Sequence, residues 1–149
     1  MVLPYRHMPV WANRAGLKTL LEFRRLVTEY FANITYASWM ADGGPIENPR
    51  TIAIRSEVNQ LLGPTITAVA RAEVDTVFTV YPAPLTGGYV RQRCVIRHVF
   101  DLYQDREVVS EQNTYDVLDQ AIGRYSADKT AAWIRTINPF FGLTEHLCL

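Results

Sequence analysis

The stretch YPAPLTGGYVRQRCVIRHVF, Tyr81 to Phe100, decides how this chain is built. Two prolines and two glycines lead into three arginines, a cysteine and a histidine. Read as a helix over residues 89–103, it puts Val95, Val99, Leu102 and Tyr103 on one stripe, broadened by Ile96 and Phe100. It also sets Arg97 four residues before Asp101, the spacing of an ion pair along a helix surface. Read as a strand, it puts Arg91, Arg93 and Arg97 on one face with Val95. The unbroken apolar stripe and the Arg97–Asp101 spacing favour the helix.

The flanking sequence is punctuated more clearly. Just before this stretch, VDTVFTVYPAP is rich in Val, Phe, Thr and Tyr and is closed by Pro82 and Pro84, which predicts a strand near Thr76 to Tyr81. From Gly16 to Met40, Leu17, Leu20, Leu21, Val27, Tyr30, Phe31 and Ile34 recur at three- and four-residue steps, predicting a helix with one buried stripe. TYASWM prolongs it to Trp39 and DGGP, Asp42 to Pro45, stops it. Asn48 before Pro49 reads as a cap and first helical position. Ile52, Ile54, Val58, Leu61 and Leu62 follow, and Gly63-Pro64 marks either a kink or a corner. REVVS, residues 106–110, reads as a short strand or turn. Asn113 or Thr114 then caps a helix bearing Tyr115, Leu118, Ile122 and Tyr125, and Ser126 caps another that Asn138-Pro139 ends.

The expected fold is therefore mainly α: a single domain over 1–149 with about five or six helices and at most a minor β element. Residues 1–13 are expected to form an extended arm and 139–149 an apolar tail. The alternative is an α+β fold with a strand or hairpin around 74–100. A chain of 149 residues, 48% hydrophobic and 20% charged, can bury a core without disulfide or metal.

Charge narrows the function classes. Fifteen Lys plus Arg balance 15 Asp plus Glu, and a duplex-binding protein needs a basic excess, so nucleic acid is not an expected partner. Only Lys18 and Lys129 are lysines, and the other cations are arginines suited to forked contacts with carboxylates or phosphates. The two cysteines suggest no disulfide framework, the amino end lacks the apolar core of a signal peptide, and no run is long enough to span a membrane. A cytoplasmic protein is expected.

Chemistry has few footholds. If Gly87-Gly88 opened a helix, its free amides could meet an anion together with Arg91, Arg93 and Arg97. TGGYVRQR lacks the Lys-Ser/Thr ending of a P-loop, however, and at about 100° per residue Arg91 and Arg93 diverge, leaving Arg93 and Arg97 as the convergent pair. The competing reading is surface arginines paired with Asp101, Asp105 or Glu107. Cys94, His98, His146 and Cys148 form a weaker set with the donor types of a zinc site. On a helix Cys94 and His98 share a face, whereas on a strand their Cα atoms lie about 13 Å apart. No nucleophile elbow or metalloprotease motif occurs, and no cofactor is implied.

What remains is surface character. Residues 91 to 97 carry three positive charges, and the six carboxylates from Asp101 to Asp119 have Arg106 alone among them. Trp11, Trp133, Phe140 and Phe141 gather aromatic surface near both ends, where they either close the core or meet a partner. Membrane contact is the least favoured use of them. The expectation is a non-enzymatic interaction or assembly module with a protein partner, itself included, within a larger complex. The alternative is a small sensor or enzyme for a phosphorylated ligand at Gly87, Gly88, Arg93 and Arg97.

Overall fold

The computed structural model describes residues 8–36, 45–80, 91–100 and 111–138. Among them the protein is mainly α with a minor β element of two short antiparallel strand pairs, as the sequence predicts. The order is α1 (Val10–Asn33), β1 (Thr35–Tyr36), β2 (Pro45–Ile46), α2 (Pro49–Arg71), β3 (Val77–Val80), β4 (Arg91–Cys94), α3 (Glu111–Ala127) and α4 (Lys129–Ile137). Four described helices stand where five or six were expected, for reasons found at Pro64 and at β4.

Helices α1 and α2 form a long antiparallel pair. Leu20, Phe23, Leu26, Val27 and Tyr30 of α1 bury against Ile54, Val58, Ala68 and Val69 of α2, each such side chain contributing about 1.5–3 kcal/mol. The expected boundaries of α1 shift: it begins at Val10, inside the proposed arm, and stops at Asn33 rather than Trp39. It stops because Ile34 turns extended and the next two residues pair, Thr35 with Ile46 and Tyr36 with Pro45. Asn48 then caps α2 as predicted. Its side chain accepts from the Thr51 N–H at 2.9 Å, the Thr51 hydroxyl accepts from the Asn48 N–H at 2.8 Å, and its amide donates to the Asn33 carbonyl. One residue thus starts α2 and ties it to the end of α1.

Gly63 and Pro64 do not break α2. Both are exposed, and the helix passes through them to Arg71. The carbonyl left without a donor by the proline belongs to Gln60, whose exposed position lets water serve it. Beyond Arg71 the chain leaves through a Schellman turn. Glu73 N–H reaches the Ala70 carbonyl and Val74 N–H the Val69 carbonyl, with Glu73 left-handed at φ 54.

At β4 the favoured helix over 89–103 is overturned. Arg91–Cys94 is a strand pairing antiparallel with β3: Val80 faces Arg91, Thr79 Gln92, Phe78 Arg93 and Val77 Cys94. The ladder runs one residue further through Val95 N–H to the Thr76 carbonyl at 2.9 Å. A partner strand rich in Val, Phe and Thr supplies what an isolated helix preference could not weigh. The helical spacing of Val95 and Val99 is real for one turn, closed by His98 N–H to the Cys94 carbonyl at 3.1 Å. That turn drops Ile96, Val99 and Phe100 into the core. Phe100 lands edge-on to Tyr30, centroids 4.7 Å apart, with the Arg55 guanidinium over its ring. Asp101, the expected partner of Arg97, lies outside the described residues, as does REVVS.

Helix α3 begins at Glu111, ahead of the predicted caps, so Asn113 and Thr114 are already helical and Thr114 is buried. Its stripe is as expected: Leu118 and Tyr125 are fully buried, and Tyr115 and Ile122 pack at the edge. Ser126 is not a cap, since α3 continues to Ala127 and α4 starts after Asp128. The Asp128 carboxylate instead meets Arg135 in a largely buried pair.

Tyr125 joins three helices. Its hydroxyl donates to the Ala68 carbonyl of α2 at 3.1 Å, and its own carbonyl accepts from the buried Asn13 amide of α1 at 3.0 Å. Its ring lies on Gly16, where an added Cβ would sit 2.7 Å from ring carbon Cζ. Arg124 beside it donates to the Ala72 and Glu73 carbonyls at the end of α2, and Arg24 forks onto Asp119 at 2.6 and 3.0 Å.

Two of the helical glycines, Gly16 and Gly123, make opposite predictions. Gly16→Ala should destabilise by about 1–3 kcal/mol, because the buried ring has nowhere to move. Gly123→Ala, exposed on α3 with nothing outside its own helix within 4 Å of the new Cβ, should stabilise by about 0.5–1 kcal/mol. Urea denaturation of both variants checks this, and equal signs would refute it. Burial raises the Tyr125 pKa above the ordinary 10.0. The ionised phenol is therefore favoured in the unfolded chain. Its contribution is complete below the ordinary tyrosine range and disappears as pH climbs through the raised folded value. Tyr125→Phe should cost about 1–2 kcal/mol at neutral pH and lessen the fall in stability above roughly pH 10, as measured by denaturation at both pH values.

Candidate functional site

The outward side of α1 carries a stripe that the core does not use. At about 100° per residue, Trp11, Arg14, Lys18, Leu21 and Arg25 fall within about 80° of one another, opposite Leu20, Phe23 and Val27. Trp11 is 65% exposed and Leu21 49%. Leu21, expected in the buried stripe, is thus a surface residue. It is one position from fully buried Leu20, which turns it out of the core.

Helix α4 packs antiparallel along the first half of α1. The Val10 N–H donates to the Thr136 hydroxyl at 2.9 Å at one end, and Lys129 shares a depression with Arg14 and Lys18 at the other. Ala132 is buried in the seam. Lys129, Trp133 and Ile137, four apart, form the outward stripe, with Trp133 54% and Ile137 62% exposed. The α1–α4 seam is thus flanked on both sides by exposed apolar and cationic residues.

Between the stripes lies an open depression of about 580 Å³. Arg14, Leu17, Lys18 and Leu21 line it from α1, Lys129 from α4, with Glu22 and Arg25 at one end. Arg25 is taken by Glu22 at 2.7 Å and Glu29 at 2.9 Å. The Glu22 carboxyl is held below its usual range by its hydrogen bonds to Arg25, helped by the nearby positive charges of Arg25 and Lys18. Arg14, Lys18 and Lys129 form no ion pair among the described residues. The cleft between α1 and α2 differs: there Glu29 stands between Arg25 and Arg50 and pairs with both, so its two cations are met internally.

The residues singled out in the sequence are dispersed. Arg91 and Arg93 lie on β4, and Arg97 is exposed in the turn after it. The helical alignment of Arg93 with Arg97 is therefore absent, and Gly87 and Gly88 lie outside the described residues. Cys94 is a half-buried free thiol at the end of β4, and His98 is half-buried in the turn. His146 and Cys148 are outside the described residues, among which no group of three His, Cys, Asp or Glu side chains could hold a metal. Of the aromatic set, Trp11 and Trp133 are exposed on the α1–α4 face, while Phe140 and Phe141 lie outside the described residues. Sequence reasoning missed Arg14, Lys18 and Lys129. The signal was there in NRAGLKTLLEFRR, where Arg14–Lys18 and Leu17–Leu21 interleave at four-residue steps.

No described helix is long and apolar enough to cross a membrane. Comparison with protein-family models, with curated proteins and with solved structures finds no significant match to this chain.

Proposed function

We propose that this protein is a non-enzymatic interaction module whose contact surface is the α1–α4 face. The observation that carries the reading is the exposure of Trp11, Trp133 and Ile137 on two helices that touch each other. Exposed tryptophans on rigid helices offer large contact area at small entropic cost, and such residues dominate binding energy at protein interfaces. Each lies on an element anchored to the core, Trp11 beside buried Asn13 and Trp133 beside buried Ala132. The partner is another protein or a further copy of this chain, within a larger assembly. A cytoplasmic setting belongs to the same proposal, supported by the free thiol of Cys94, which a reducing compartment preserves.

A photoreactive residue in place of Trp133, expressed in the native cell, should give a discrete cross-linked product. The same photoreactive group in place of Asn59, exposed on α2, should not. Light scattering of the purified protein over a range of concentrations identifies self-association as mass above the 17.0 kDa monomer. In that case Trp11→Ser with Trp133→Ser should return the mass to that of the monomer. Absence of any cross-link, together with a monomer at every concentration, would refute the reading.

A further inference from the structure

The geometry points to the occupant of the α1–α4 seam: an acidic amphipathic helix of a partner protein, its apolar side chains on Leu17, Leu21 and Trp133 and its carboxylates on Arg14, Lys18 and Lys129. This rests on the interaction reading and specifies its partner.

The argument begins with charge. Elsewhere on the described surface most cations find partners within the fold, and Arg71 and Arg97, which have no ion pair among the described residues, do not line this depression. Arg24 is held by Asp119, Arg25 by Glu22 and Glu29, Arg50 by Glu29 and Arg55 by Glu47. Arg135 pairs with Asp128, and Arg124 caps carbonyls. Three cations around one depression have no such partner among the described residues, and they flank it from both helices. Anionic groups arriving on both edges would be met, which suits a rod carrying carboxylates on both flanks better than a single small anion.

Shape and apolar content narrow the class further. Leu17 and Leu21 are one helical turn apart along the floor, and Trp133 lies one turn beyond Lys129 on the outward stripe of α4. From Trp11 to Leu21, α1 advances about 15 Å, the length of three turns of a partner helix. Side chains at i, i+3 and i+7 of such a helix match this groove. An anionic membrane fits less well, because the leucines lie in a depression rather than on a convex ridge, and Glu22 adds a carboxylate at its end. A second copy docking through α3 fits less well too. The exposed residues of α3 include Gln112, Asp116, Asp119 and Gln120, and no large apolar side chain is exposed there.

The test uses two fluorescently labelled 16-residue synthetic helices with identical leucines, one flanked by glutamates and one by glutamines. Anisotropy at low salt should show the glutamate peptide binding at least about tenfold more tightly than the glutamine peptide, with affinity falling as salt rises. Lys18→Glu and Lys129→Glu, both at exposed positions, should each weaken it about three- to tenfold. A lysine-flanked peptide should regain affinity for the double variant. Circular dichroism and thermal melting establish that these variants fold.

Equal binding of the glutamate and glutamine peptides, or no binding, would overturn the inference. So would phosphatidylglycerol vesicles captured in place of the peptide and released by the same variants, which would make the face a membrane surface. Self-association abolished by the charge reversals would overturn it in favour of a second copy. If Trp133 cross-links to a partner in the cell and the charge reversals leave that product unchanged, this inference fails while the interaction reading stands. If the cross-link and self-association are both absent, the reading itself has failed.

Discussion

The contact between the Tyr125 ring and the bare backbone of Gly16 governs how the helices are placed. Only a hydrogen at position 16 lets α3 settle onto α1 closely enough for the phenol to reach the Ala68 carbonyl of α2. The same seating sets the Asn13 amide against the Tyr125 carbonyl, so three helices are fixed by one residue. The surface depends on it as well. Three residues after Tyr125 the chain bends at Asp128, and α4 starts down the flank of α1. Where Lys129 meets Arg14 and Lys18 is therefore decided inside the core, by a glycine and a tyrosine that touch no partner.

Much of the helical framework was legible. Asn48-Pro49 is a start signal carried by local hydrogen bonds, and the stripe from Tyr115 to Tyr125 has a period that only a helix satisfies. The segment at β3 was legible for the same reason, since its composition and closing prolines act within a few residues. What escaped depends on partners distant in sequence. β4 is a strand because β3 lies beside it, whereas its own residues carry a helix-like spacing that survives for a single turn. Gly63-Pro64 looks like a break, yet the two residues face solvent, so the helix loses one hydrogen bond to water and continues. Leu21 reads as core by composition, and only the placement of Leu20, Phe23 and Val27 shows that it points away.

The candidate site divides along the same line. Tryptophans near both ends could be picked out, but not that α4 would fold back to bring Trp133 to the side of α1 that bears Trp11. Arg14 and Lys18 drew no attention because two like charges four apart on a helix resemble ordinary solvated surface. They become conspicuous once the fold sets them with Lys129 around one depression, with no carboxylate paired to any of the three among the described residues. In a chain with no net charge, local excess arises where the fold leaves carboxylates out of reach, and the sequence order of charges does not reveal that.

The reach of Tyr125 bears on how the protein is made. Its hydrogen bond to Ala68 spans 57 positions and its bond with Asn13 spans 112. At roughly 5–20 residues per second of synthesis, the α1–α2 pair leaves the ribosome several seconds before the tyrosine that completes it. During that interval Leu20, Phe23 and Val69 lack the cover that Leu118, Ala121 and Tyr125 of α3 bring to the same cluster. A chaperone that recognises bare apolar helices would find its substrate there, and would lose it once residue 125 emerged and docked.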